Sequence, residues 1–153
     1  MRIRRRILNS KFLILNYCVL CANVLLPLVS SQALAQSTAQ SVWDGVYTEA
    51  QAKLGEAVSK ATCQACHGER LGGDMGPGLA GDEFVGGWDG KPAGELFDRI
   101  RTTMPQGNEN SLTAKDTADL VAYIFQLNKF PPGQSELSPD ATSLGHIRIQ
   151  ARK

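Results

Sequence analysis

The chain has 153 residues, and its 16 lysines and arginines against 15 aspartates and glutamates give a formal charge of +1 at pH 7. All 15 acidic residues follow residue 35 whereas five of the basic residues precede it, so the rest of the chain has a formal charge of −4. This balance lacks the basic footprint of a nucleic-acid-binding protein. The 118 residues after position 35 correspond to one small domain, which buries only a modest core from its own side chains.

The first 35 residues have the pattern of a secretory signal peptide. Residues 1–11 carry five basic and no acidic side chains, residues 12–29 are mostly apolar, and Ala33-Leu34-Ala35 has the small-x-small form of a cleavage site. We therefore predict cleavage after Ala35 and a periplasmic location for the remaining chain. An uncleaved anchor is the alternative, because 18 apolar residues lie near the lower limit for spanning a bilayer.

The remaining chain divides into three predicted parts. Residues 36–47 form a flexible lead-in that begins with small, polar residues, and residues 48–133 form the globular domain. Residues 134–153 form a C-terminal tail with a late basic cluster and no pattern of a packed core. We expect this tail to be mobile or to lie over the surface.

The globular part opens with the pattern of a helix. Thr48-Glu49-Ala50-Gln51 has the form of a capping box, and apolar residues then recur at helical spacing. We predict a helix over about residues 49–60 that leads directly into Cys63. Gly55 in its middle costs about 1 kcal/mol relative to alanine. Either the helix tolerates this cost, or a neighbouring helix crosses too closely at this position for a Cβ.

This helix leads into a C-x-x-C-H motif, in which Cys63 and Cys66 are followed directly by His67. It is the motif at which haem is attached covalently to a protein. Two thiols at this spacing reach the two vinyl groups on one edge of a porphyrin, and the adjacent imidazole is carried beneath the iron as an axial ligand. Cys18 and Cys21 have the same spacing, but no histidine follows them and they lie in the leader.

The other interpretations of Cys63 and Cys66 are half of a zinc site and a thioredoxin-like redox pair. A zinc site needs two further ligands, and after Cys66 the chain has no cysteine and only His67 and His146. A thioredoxin-like redox pair is disfavoured because the sequence around the two cysteines has no βαβ pattern. We therefore favour one haem c, bound through two thioethers.

Residues 68–81 are too rich in glycine for regular structure, and we predict a loop that wraps the proximal side of the haem. A metal-bound imidazole usually donates its second N–H to a carbonyl, which fixes the ring. The carbonyl of Pro77 is our candidate for this role. An ordinary turn proline is the alternative.

Two further helices follow this loop. Pro92 opens a helix over about residues 93–102, whose apolar residues share one face. A third helix is capped by Thr113 and extends to Asn128, with a broad apolar face. The sequence Pro131-Pro132-Gly133 prevents its continuation.

The second axial position has few candidates in this chain. Met104 precedes Pro105, which stops the helix before it, and the polar run that follows lets the backbone turn toward the ring. Met75 is only 8 residues from His67 on the proximal loop, and His146 lies in the tail. We predict Met104 as the ligand, with Met75, His146 and an open sixth position as alternatives.

These features resemble those of a class I bacterial cytochrome c. The resemblance is carried by the haem motif, Gly76-Pro77-Gly78-Leu79-Ala80-Gly81, Trp88, the Met104-Pro105 pair and Asp119-Leu120-Val121-Ala122-Tyr123-Ile124 in the last helix. It covers about residues 42–132. The chain resembles the single-haem, short type that is similar to the cytochrome subunits of cbb3 oxidases and of quinoprotein dehydrogenases.

The resemblance implies an all-α cytochrome c fold of three to four helices packed around one haem. Trp88 is similar to the family's aromatic residue near a haem propionate, and a core tryptophan is the alternative. The resemblance assigns haem attachment to Cys63 and Cys66, axial ligation to His67 and Met104, and the carbonyl partner of His67 to Pro77.

The predicted function is therefore electron transfer rather than catalysis. One His/Met-ligated haem would pass single electrons between periplasmic partners such as a dehydrogenase and a terminal oxidase, with no nucleic-acid partner and no membrane insertion after leader cleavage. A thioether ligand favours ferrous iron, and two filled axial positions leave no place for a substrate. The alternatives are a haem protein with an open sixth position, peroxidase-like or gas-binding, and a tightly bound cytochrome subunit of a dehydrogenase.

Overall fold

The computed structural model describes residues 39–152. The predicted signal peptide lies outside these residues, and cleavage after Ala35 stays a prediction. The described part contains six α-helices: α1 (Glu49–Thr62), α2 (Gln64–His67), α3 (Asp82–Trp88), α4 (Ala93–Thr103), α5 (Ala114–Leu127) and α6 (Ala141–Leu144). A 3-10 helix (Val42–Asp44) precedes α1, and two short strands, β1 (Gln40–Ser41) and β2 (Ile147–Arg148), pair in parallel. None of the helices within residues 39–152 combines the length and the apolar character that crossing a membrane requires.

The three predicted helices are confirmed as α1, α4 and α5. Helix α5 has a complete capping box, in which Thr113 accepts from the Asp116 N–H and the Asp116 carboxylate accepts from the Thr113 N–H. Helix α1 has only half of the predicted one: Thr48 accepts from the Gln51 N–H at 3.1 Å, but the Gln51 side chain does not return to the cap. The three shorter helices were not predicted, because segments of four to seven residues are too short to show a helical period.

Helices α1 and α5 cross at Gly55. A Cβ at this position would overlap the backbone carbonyl of Asp119 and would lie 2.9 Å from the backbone nitrogen of Leu120. The close-crossing interpretation of Gly55 is therefore confirmed. The two helices touch backbone to backbone, and Thr62 at the end of α1 lines one cavity with Leu120 and Ile124 of α5.

The core is built mainly on α5. Every residue from position 117 to position 125 is buried, which gives this helix a broad apolar surface toward α1 and α4. Helix α4 contributes Leu96, Phe97 and Ile100 to the same core, on the face that the sequence predicts. The glycine-rich residues 68–81 contain no helix or strand, as predicted, and they lie between α2 and α3.

The predictions of a flexible lead-in and of a tail without a core are wrong for the residues that the structure describes. Apolar side chains of both segments belong to the buried core. They are Val42, Val46 and Tyr47 in the lead-in, and Leu137, Leu144, Ile147 and Ile149 in the tail. Their spacing shows no helical period, and only contacts between distant parts of the chain reveal them as core residues.

A buried glutamine connects α1 to the tail. Gln51 is fully buried; its Nε2 donates to the carbonyl of Leu137 at 3.0 Å and its Oε1 accepts from the Leu137 N–H at 2.8 Å. One side chain thereby satisfies both backbone groups of a residue that lies 86 positions later. This pairing explains why the second half of the capping box does not form.

We expect Gly55→Ala to destabilise the protein by about 3 kcal/mol, because the added methyl group meets backbone that cannot move aside. Gly86→Ala in α3 is the matched control, since its Cβ would have no neighbour within 4 Å. That control should gain about 0.5–1 kcal/mol from helix propensity. Denaturant unfolding measures both changes, and an unaffected Gly55→Ala protein would contradict the close crossing.

Tyr47 makes stability sensitive to alkaline pH. Its hydroxyl donates to the carbonyl of Phe130 at 2.7 Å, and burial, with a smaller contribution from Glu49, raises its pKa from 10.0 to about 12. The unfolded chain loses this proton first, so the stabilisation is fully present below pH 10 and is lost as the pH rises through 12. Over this interval, the unfolding free energy should fall more steeply for the wild type than for Tyr47→Phe. Urea titrations measure the unfolding free energy at each pH. An equally steep fall in the two proteins would contradict the assignment of this pH dependence to Tyr47.

Candidate haem-binding site

The two thiols of the C-x-x-C-H motif lie where α1 meets α2. The Cys63 N–H donates to the carbonyl of Ser59 at 2.8 Å, and the Cys63 carbonyl accepts from the His67 N–H at 2.9 Å. These bonds make the motif a continuation of α1 and bring Cys63 and Cys66 to the wall of one cavity. Cys63 is half-buried, so burial raises the pKa of its thiol, whereas Cys66 is exposed.

His67 is held in one orientation by the loop that follows it. The residue is 8% exposed, and its Nδ1 lies 2.7 Å from the carbonyl oxygen of Pro77. A carbonyl only accepts hydrogen bonds, so Nδ1 carries the proton and donates. The lone pair on Nε2 is therefore available for a metal.

The loop also packs directly against the imidazole ring. Backbone bonds fold it back onto the motif: Gly73 N–H donates to the carbonyl of His67, and Gly76 N–H donates to the carbonyl of Cys66, both at 2.8 Å. A Cβ on Gly76 would lie 2.9 Å from Cε1 and 3.0 Å from Nδ1 of His67. Glycine at this position therefore lets the backbone lie against the ring.

A cavity of about 550 Å³ opens beside these groups. It adjoins a second cavity of about 330 Å³, and His67, Pro77, Leu79, Ile100 and Met104 line both. Volumes of this size are typical of cofactor sites. The remaining apolar wall of the larger cavity consists of Leu71, Leu112, Leu120 and Ile124.

Met104 is the residue directly after α4. Its N–H donates to the carbonyl of Ile100 at 3.0 Å, and its backbone is extended, so the chain leaves the helix at this point. The structure thus brings Met104 and His67 to the same cavity, although they are 37 residues apart. The alternative ligands are placed less favourably: Met75 is 79% exposed at the cavity rim, and His146 is exposed and lines neither cavity.

Trp88 lines the smaller cavity between two cations. Lys91 Nζ lies 5.2 Å and Arg99 Cζ 5.4 Å from the centroid of its ring, and both residues also line this cavity. Glu83 also lines this cavity, so two cations and one carboxylate leave this end of the cleft with a formal charge of +1. The two cations were not predicted from the sequence, because a single lysine or arginine usually indicates no more than a solvated surface.

Asn128 is a second residue whose role the sequence does not reveal. Its Oδ1 accepts from the Gly81 N–H at 2.9 Å, and its Nδ2 donates to the carbonyl of Leu79 at 3.0 Å. The side chain ties the end of the proximal loop to the end of α5. The sequence shows only that an amide side chain, which can both donate and accept, follows an apolar helix. That pattern does not indicate a binding partner 47 residues earlier.

The donor set and the cavity fit a covalently attached haem. Two thiols, an imidazole with a free Nε2 and a thioether line the same space, whose walls are otherwise mostly apolar. The cations at Trp88 suit the two carboxylates that a haem carries. Within the described residues, no three His, Cys, Asp or Glu side chains come together as a metal-binding group.

Comparisons with known proteins agree with this fit. Residues 50–124 match the family model described as cytochrome C oxidase, cbb3-type, subunit III, and this range includes the motif, Trp88 and Met104. No curated protein matches the sequence. The match confirms the resemblance to class I cytochromes c and the all-α cytochrome c fold.

Among solved structures, the chain is similar to the crystal structure of the sulfane dehydrogenase SoxCD from Paracoccus pantotrophus. The two share 20% identity with a TM-score of 0.48. The matched region covers 70% of this chain and 61% of that chain.

We expect Gly76→Ala to displace the His67 ring and to weaken its hydrogen bond to Pro77, because the added Cβ would lie too close to the imidazole. The cost in unfolding free energy should be about 1–3 kcal/mol, and exchange of the Nδ1 proton should become faster. Gly72→Ala is the control, since nothing lies within 4 Å of its Cβ. Equal proton exchange and stability in the two variants would contradict the packing of Gly76 on the ring.

Proposed function

We propose that this protein is a monohaem c-type cytochrome that transfers single electrons between redox proteins. Its haem would be attached to Cys63 and Cys66, and His67 and Met104 would be the ligands of the iron. One observation carries the proposal: both thiols, the imidazole and the thioether line a single, largely apolar cavity. The cytochrome c family match supports a haem c electron-carrier role.

His67 would be the first ligand of the haem iron, in both oxidation states. The Pro77 carbonyl accepts from Nδ1, so the neutral ring would present the Nε2 lone pair to iron with a fixed ring plane. The contact with Gly76 keeps the ring from rotating. Both constraints keep the ligand geometry similar in the two oxidation states, which lowers the reorganisation that electron transfer requires.

Met104 would be the second ligand of the iron, since its thioether lines the same cavity as His67. A thioether is a soft, neutral ligand that stabilises ferrous iron and raises the reduction potential relative to a second imidazole. With both axial positions filled by protein, no position is left for oxygen, peroxide or an organic substrate. The site then supports electron transfer rather than catalysis.

The cavity wall would also tune the potential. Leu71, Leu120 and Ile124 would exclude water from the space beside the ligands, and a low dielectric disfavours the extra positive charge of ferric iron. Lys91 and Arg99, beside Trp88, would bind the carboxylates of the haem, so that these charges are not left buried without partners.

We place electron exchange at the cavity mouth beside Cys66. This residue is exposed, so the haem edge attached to it would lie within reach of a partner. Contacts of this kind between redox proteins are small and weak, which allows rapid dissociation. Candidate partners are a periplasmic dehydrogenase as donor and a terminal oxidase as acceptor, and export by the N-terminal leader would bring the protein to them.

We expect Met104→Ala to retain covalent haem but to bind added cyanide or CO rapidly, because its iron loses the sixth ligand. Met75→Ala is the matched control, since Met75 lines the same cavity but is exposed at its rim. The control should keep the wild-type spectrum and bind external ligands slowly. Ultraviolet-visible spectra before and after ligand addition distinguish the two variants.

Two results would contradict the proposal. A Met104→Ala protein with an unchanged spectrum would exclude Met104 as the ligand. Correctly exported wild-type protein that is colourless, or that releases its pigment into acidified organic solvent, would exclude covalent haem attachment altogether.

A further inference from the structure

The last residues that the structure describes are bound to the turn that follows α3. We call residues 146–152 the C-terminal strap. The Gly90 N–H donates to the carbonyl of Ile149 at 2.8 Å, and the Ile149 N–H donates to the carbonyl of Lys91 at 2.9 Å. The Ala151 N–H donates to Oδ1 of Asp89 at 2.9 Å. Three hydrogen bonds therefore hold three consecutive residues of this turn.

The strap is itself anchored on the lead-in and in the core. Ile149 is fully buried, and the Trp43 indole N–H donates to the carbonyl of Gln150 at 2.9 Å. The guanidinium of Arg152 lies 5.1 Å from the centroid of the Trp43 ring. The strap thus has a fixed position from which it can hold the turn.

Helix α3, which carries Trp88 at its end, has few contacts of its own. Phe84 is its only buried residue, and Gly86 and Gly87 precede Trp88. Glycine within a helix costs roughly 0.5–1 kcal/mol relative to alanine, so this end of α3 forms only weakly by itself. Trp88 packs against the core with its ring centroid 6.0 Å from that of Phe84, and its backbone position depends in addition on the turn to which it is joined.

We propose that the C-terminal strap is a positioning element for the haem, which holds Trp88 and the cation of Lys91 in the wall of the cleft and so raises the reduction potential. The inference rests on the proposed function, since Trp88 and Lys91 line the cavity that the haem would occupy. A fixed cation and the exclusion of water both favour the reduced, less positive iron. The strap lies outside residues 50–124, which match the family.

Asp89→Ala and Asp89→Asn separate this role from a simple effect of charge. Both variants remove the same negative charge, but asparagine retains an oxygen that can accept from the Ala151 N–H. We expect Asp89→Ala to have the lower reduction potential of the two. Amide exchange at Gly90 and Ile149 should become about tenfold faster in Asp89→Ala and should change little in Asp89→Asn.

Ala151→Pro tests the same bond from the other side, because it removes the donor without altering any charge. The reduction potential of Ala151→Pro should fall below that of the wild type. The Asp89→Ala/Ala151→Pro double variant should have a reduction potential no lower than that of Asp89→Ala, because both changes remove the same hydrogen bond. Equal potentials for Asp89→Ala and Asp89→Asn would overturn the inference, as would unchanged amide exchange. Absence of covalent haem in the wild type would instead overturn the proposed function, while amide exchange would still report on the strap.

Discussion

The contact between α1 and α5 at Gly55 is the constraint on which the rest of the protein depends. No side chain separates the two backbones at this point, and the end of α1 lines one cavity together with the apolar face of α5. The haem motif continues that turn, so its thiols face a wall that contains Leu120 and Ile124. A wider separation of the helices would move the ligand and the wall apart, and the cleft would lose its shape.

The proximal loop converts this framework into a defined ligand geometry. Glycine-rich backbone has no preferred structure of its own, and three kinds of contact supply one here. The loop bonds back to the motif, its Pro77 carbonyl binds the imidazole, and Asn128 holds its end on α5. The loop gains its order from the parts of the protein that it touches, and His67 is held as a consequence.

Local signals predict much of the fold but little of how its ends are packed. The apolar period and the caps of α1, α4 and α5 are properties of neighbouring residues, so the sequence reveals them directly. The motif reveals the thiols and the imidazole for the same reason. Gln51 shows the limit: its spacing from Thr48 indicates a capping box, yet its side chain binds Leu137 far along the chain. Lys91 and Arg99 also acquire a role only where α3 and α4 meet at Trp88.

The pairing of the lead-in with the strap has a consequence for how the protein folds. Trp43 and Gln150 are 107 residues apart, so their contact closes a loop that includes every other helix of the domain. Loop-closure entropy makes such a contact slow to form until the intervening chain has become compact. The strap therefore packs onto the lead-in only after the helices between them have assembled.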